Sequence, residues 1–109
     1  MNKELVVFGR TYPCPDLTRT QRFLKANNIS YRQINIDEDE AALEFVMRWV
    51  GHRSVPTIVV ARTGDVQPIA DPAPLPTGRS VRSFDRGTMI TEPSDDALHG
   101  FLRRHGFAS

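Results

Sequence analysis

The sequence predicts a small α/β fold in which a mixed four-stranded sheet is flanked by helices. Three observations lead there. Two unbroken apolar runs, Leu5-Val6-Val7-Phe8 and Ile58-Val59-Val60-Ala61, have the length and composition of strands covered on both faces. Three segments, opening at Pro15, near Glu38 and near Asp95, carry apolar residues at three- and four-residue steps, as amphipathic helices do. Strand and helix signals then follow the order β-α-β-α-β, a long irregular stretch, and β-α. The first β-α-β unit requires parallel strands and a right-handed crossover, and the last two strands pair most simply antiparallel.

Each element has its own signal. Gly9 ends the first strand and permits a tight turn. Pro15 suits the first helical position, where its missing N–H costs nothing, and Asp16 favours the positive end of the helix dipole. Leu17, Thr20 and Leu24 point inward with Phe23 beside them; Arg19, Arg22 and Lys25 form a basic outer face, and Asn27-Asn28 stop the helix. Tyr31 to Asp37 alternates, with Ile34 and Ile36 on one face, as a half-exposed strand would. The second helix runs from about Glu38 to Val50, with a core stripe of Ala42, Phe45, Val46, Trp49 and Val50, and Gly51 is its natural stop. Pro56 cannot donate to a sheet ladder, so it belongs at the entry to the third strand. Residues 62–86 carry Pro68, Pro72, Pro74 and Pro76 with Gly64 and Gly78 and have no sustained period. They read as a long loop with a short extended stretch around Val81 to Phe84. Gly87 to Ile90 makes a short last strand, Glu92-Pro93-Ser94-Asp95-Asp96 a helix start, and Ala97, Leu98, Phe101 and Leu102 the buried face of the last helix.

Composition bounds the function. A chain of 109 residues with 39% apolar and 25% charged residues is expected to fold as one domain, residues 1–109, with 62–86 as an insertion. A net charge of +1 supplies no field for nucleic acid or an anionic membrane. No basic-then-apolar leader or long apolar span is seen, so the expected compartment is the cytoplasm. The three histidines lack metal-ligand spacing, and a single cysteine excludes both an internal disulfide and a cysteine-ligated structural zinc.

That cysteine, Cys14, sits in Arg10-Thr11-Tyr12-Pro13-Cys14-Pro15-Asp16-Leu17, between the first strand and the first helix. A thiol at a helix start meets unpaired N–H groups and the positive dipole end, both of which favour the thiolate, while Asp16 works against it. The sulfur is therefore expected at the open mouth of a groove, as a reactive group. Tyr12 reads either as a substrate platform or as a turn aromatic packed on the sheet.

A cysteine after strand one and Arg53-Ser54-Val55-Pro56-Thr57 opening strand three together resemble the glutaredoxins of the thioredoxin-like fold. Tyr31 to Asp39, Ala42 to Val46 and Thr91 to Ser94 are similar to the actinobacterial, mycoredoxin-type group. The resemblance covers residues 4–60 and 87–107. It implies a three-layer fold, a cis bond before Pro56, and attack by Cys14 on mixed disulfides between a protein and a low-molecular-weight thiol such as glutathione or mycothiol. It implies no permanently bound cofactor and a monomer. In that scheme Val55 bridges the substrate's backbone, Arg10 and Arg53 hold the small thiol's carboxylates, and Ser94 and Asp95 at the last helix take its other end. The chain departs from the family in three places. Leu17 replaces the second cysteine of Cys-x-x-Cys. Cys14-Pro15-Asp16-Leu17 is not the Cys-Gly-Phe-Ser of the cluster-carrying branch, and Arg10 lies four residues before Cys14 where the family's usual lysine lies three before. Glu92-Pro93, in place of the usual Gly-Gly before the last helix, weakens the implied role of Ser94 and Asp95. A one-thiol route is what survives. The rival readings are a non-catalytic binding module with a retired site, and a redox sensor whose Cys14 is reversibly modified.

Overall fold

The computed structural model describes residues 2–109. Strand β1 (Lys3–Gly9) leads into helix α1 (Pro15–Ala26), strand β2 (Arg32–Asn35), helix α2 (Glu40–Val50), strand β3 (Thr57–Arg62), strand β4 (Met89–Thr91) and helix α3 (Asp95–Arg104). The sheet order is β2-β1-β3-β4. The apolar runs take its two central places, because only strands with neighbours on both edges and helices on both faces need to be apolar throughout. β1 pairs parallel to β2, and antiparallel pairing joins β1 to β3 and β3 to β4.

Helix ends follow their capping chemistry. The Asp39 carboxylate accepts the Ala42 N–H at 3.0 Å, and Gly51, with φ 86°, closes α2 by donating its N–H to Met47 O. Ser94 caps α3 by accepting the Ala97 N–H. Phe8 of β1, fully buried, stacks on Phe45 of α2 with ring centroids 4.8 Å apart. α1 and α3 pack against each other. Among the described residues no helix is long and apolar enough to cross a membrane.

Three expectations change in detail. β2 is shorter than Tyr31–Asp37 and half-buried along its length, as befits a strand at the sheet edge paired only with β1. Trp49 is half-buried rather than sealed: it lies at the margin of the α2 stripe, with the Arg48 guanidinium near its ring. The long connection lacks helix or strand but is firmly attached. Pro68 bridges Ala61, Arg82 bridges Thr91, and Thr88 Oγ1 donates to Ala70 O. Its main fastening is Arg86, only 5% exposed, whose guanidinium donates to Ala73 O and to Trp49 O at the end of α2, both at 2.7 Å. Burial pushes the Arg86 pKa down, and no carboxylate offsets it.

Candidate active site

The register of the two central strands builds the site. Phe8 lies opposite Thr57, so the loop leaving β1 and the segment entering β3 meet at one end of the sheet. Gly9 makes the exit turn possible: a Cβ there would come 2.9 Å from Gln33 Nε2 and 3.1 Å from Leu17. Cys14 is the N-cap residue of α1, in extended conformation, with Pro15 at the first helical position. Its carbonyl accepts the Thr18 N–H.

The Cys14 sulfur lies 3.8 Å from Val55 O, with the thiol as donor. Cys14 is 8% exposed and Val55 2% exposed, so the sulfur lies near the floor of the surface and not at an open mouth. The reason is local: an N-cap residue in extended conformation sets its side chain against the neighbouring loop, here Val55. The Val55–Pro56 peptide bond is cis. The segment is held by the Thr57 hydroxyl, which donates to Ser54 O and meets Thr91 Oγ1, and by the Glu92 N–H, which donates to Pro56 O at 2.8 Å.

Shallow depressions reach the sulfur from two sides. One is bordered by Pro13, Pro15, Thr18, Arg19 and Arg22. The other includes Arg10, Tyr12, Leu17, Gln21 and Gln33. Through Arg10 and Tyr12 it continues into a deeper hollow of about 460 Å³ walled by Arg53, Ile36, Leu43 and the run Asp37 to Glu40. The Arg10 guanidinium stacks over the Tyr12 ring at 4.4 Å, and that ring is 55% exposed. Tyr12 is thus an open aromatic surface beside the thiol. Arg10 Nε is buried without a hydrogen-bond partner. The acidic wall is partly committed: Asp37 accepts the Thr11 N–H and hydroxyl, which hold its carboxyl below the ordinary range, with Arg10 assisting.

The structure therefore brings Cys14, Arg10, Tyr12, Arg53, Val55 and Pro56 to one end of the sheet. Ser94 and Asp95 lie in a separate depression with Arg19, Arg82 and Ser83. The Ser94 N–H is already taken by Ser83 Oγ at 2.8 Å. Sequence reasoning missed three groups. The acidic wall was legible as the run Asp37-Glu38-Asp39-Glu40. The Thr11–Asp37 pair and the network around Asp16 had no local signal. In that network Asp16 accepts from Arg19 at 2.8 Å and from Arg82 at 2.9 and 3.3 Å. Arg82's hydrogen bond is the main cause holding the Asp16 carboxyl below its ordinary range.

Comparison with known proteins agrees with this geometry. No curated protein matches the chain. Among solved structures, buckwheat glutaredoxin in complex with glutathione superposes with a TM-score of 0.50 at 21% identity, covering 95% of this chain and 71% of that one, which establishes the fold. Glutaredoxin C1 from Populus tremula x tremuloides gives 0.49 at 20% identity over 93% of this chain and 75% of its own. A thioredoxin-like protein gives 0.46 at 26% identity over 57% of this chain and 89% of its own. The glutaredoxin family model matches residues 5–64, which hold β1 to β3, Cys14 and the Val55–Pro56 bond. With more than half of its length matched, this chain belongs to the glutaredoxin family.

Proposed function

We propose that the protein is a one-thiol oxidoreductase that resolves mixed disulfides between proteins and a low-molecular-weight thiol through Cys14. Membership in the glutaredoxin family supports thiol–disulfide chemistry in general. The observation that carries the finer reading is the 3.8 Å approach of the Cys14 sulfur to Val55 O, at a helix start and beside Arg10 and Tyr12. A disulfide brought into the groove at Cys14 would have its sulfurs beside Cys14 and its backbone next to the Val55–Pro56 segment.

The electrons balance in two exchanges. The Cys14 thiolate attacks the small-thiol sulfur of the mixed disulfide, forming a new S–S bond to Cys14, and the protein sulfur leaves as a thiolate that takes up a proton. A second small thiol, losing its proton, attacks that bond; the two small thiols leave as their disulfide and Cys14 returns to the thiolate. Net, one free small thiol is oxidised as it joins the small-thiol half of the mixed disulfide in a symmetric disulfide, and the protein thiol is released reduced, with no resident cofactor. Arg10 and Arg53 would anchor the small thiol in the hollow beyond Tyr12, with mycothiol, glutathione or a similar compound as the co-substrate. In this reading residues 1–109 act as one domain, in the cytoplasm, as a monomer of the mycoredoxin-type group with Cys14-Pro15-Asp16-Leu17 as its active sequence.

The test is turnover on a glutathionylated peptide, repeated with the mycothiol adduct, comparing the parent with Cys14→Ser. Cys14-dependent release of reduced peptide is the expected result; equal rates in both proteins would remove the assignment. One observation favours a second reading. The thiol is 8% exposed and donates to a carbonyl, as in a site kept only for binding. Equal rates in the two proteins would point there.

A further inference from the structure

Cys14 borders two depressions, and only one of them leads to the hollow beyond Tyr12. The other runs from the sulfur along α1, past Pro15, Thr18 and Arg19 to Arg22. Thr18, Arg22 and Lys25 follow at four- and three-residue steps, so they share a face of the helix. Arg22 and Lys25 are exposed, and neither makes an ion pair among the described residues. The nearest carboxylate on their own helix, Asp16, is engaged by Arg19 and Arg82. Asp95 and Asp96, at the start of the neighbouring α3, pair with neither cation.

On the far side of Tyr12 the charge is reversed, because Asp37 to Glu40 wall the hollow. The thiol therefore lies between a basic helix face and an acidic wall, in a chain whose net charge is only +1. Such a division orients a charged partner instead of attracting every anion. In the proposed function the hollow takes the small thiol, which leaves the groove along α1 to the protein half of the mixed disulfide. A carboxylate on that half is drawn to Arg22 and Lys25 and repelled by the wall. Reach sets the spacing. A rise of about 1.5 Å per residue puts Arg22 and Lys25 about 12 and 17 Å from Cys14 along the axis. An extended peptide covers about 3.3–3.6 Å per residue, so carboxylates about three to five residues from its cysteine come level with the two cations.

We propose that Arg22 and Lys25 form the docking face for the protein half of the mixed disulfide, and that this face selects segments with carboxylates about three to five residues from the modified cysteine. This rests on the oxidoreductase reading and adds the class of protein substrate.

The experiment uses two glutathionylated peptides of equal length, with Glu or with Lys about three to five residues to either side of the cysteine. Each kcat/KM is divided by the rate of that peptide's uncatalysed reaction with a neutral thiol, 2-mercaptoethanol, which removes differences in intrinsic reactivity. The parent and the double variant Arg22→Glu/Lys25→Glu are compared at about 0.01 M and about 1 M salt, where the Debye lengths are about 30 and 3 Å. At low salt the parent is expected to favour the acidic peptide by about three- to tenfold, the scale of two exposed ion pairs, and the variant to lose or invert that preference. At high salt the two proteins are expected to converge. Equal Cys14-dependent turnover of both peptides by the parent, or a preference that the charge reversal or high salt leaves unchanged, overturns the docking face alone. A reversal that raises KM for the free small thiol and leaves the peptide ratio unmoved seats the small thiol on this face, and overturns the proposal too. Cys14-dependent turnover of neither peptide overturns the oxidoreductase reading itself, and this inference with it.

Discussion

Cys14 and Val55 are separated by 41 residues, yet the sulfur of one lies 3.8 Å from the carbonyl oxygen of the other. The pairing of Phe8 with Thr57 in the two central strands produces that approach, so the site is a consequence of sheet register. A slip of one residue would turn every side chain of a strand to the opposite face and take Phe8 off its stack with Phe45.

In the proposed function, the small thiol's anionic end sits in the hollow beyond Tyr12, against Arg10 and Arg53. Replacing Arg10 or Arg53 by glutamine is expected to raise KM for a small-thiol adduct several-fold, about 3- to 10-fold, with little change in kcat, since the contact is made equally in ground and transition states. Steady-state kinetics at fixed ionic strength checks this; a fall in kcat with KM unchanged would contradict it.

Phe8 is fully buried and stacked on Phe45. Phe8→Ala should lower unfolding free energy by about 3–5 kcal/mol through lost burial and a residual cavity. Urea denaturation followed by circular dichroism gives the number, and a loss below about 1 kcal/mol would mean that α2 collapses freely onto the sheet.

Arg86 fastens the long connection to the end of α2. Arg86→Ala leaves Ala73 O and Trp49 O without their donor, at a cost of about 1–3 kcal/mol, and should speed proteolysis within residues 62–86. Cleavage at the parent's rate would show that the remaining bridges suffice.

The ion pair between Arg82 of the long connection and Asp16 of α1 carries a pH signature. Arg82 holds the Asp16 carboxyl below its ordinary value of 3.8. A carboxyl with a lowered folded-state pKa contributes stability that is full above its unfolded value and lost as pH falls through the folded one. The stability difference between the parent and Arg82→Ala should therefore be flat at neutral pH and shrink below about pH 4. Arg82 is half-exposed, so the difference stays below about 1 kcal/mol. Chemical denaturation at a series of pH values measures it, and a difference that grows on acidification would refute the assignment.

Much of this was legible in the sequence, for physical reasons. The apolar runs at Leu5 and Ile58, the stripe through Phe45 and Val46, the stop at Gly51 and the helix start at Ser94 are local signals, and β1, β3, α2 and α3 formed around them. Cys14 and Val55–Pro56 were found together because a family likeness supplied the long-range link. Arg86, Arg82 and Ser83 were invisible, since a buried or bridging polar residue in an aperiodic stretch acquires its partners only through tertiary structure. The burial of Cys14 was missed similarly: which way an N-cap side chain packs depends on the loop opposite.

The central claim is that Cys14 takes the small thiol onto its own sulfur and passes it on. Mass spectrometry of the parent, mixed briefly with a glutathionylated peptide and quenched with acid, tests this directly. The account predicts reduced peptide together with a chain heavier by one glutathionyl group at Cys14, reversed by added small thiol. An unmodified chain beside an intact adduct, with native fold retained, would contradict it.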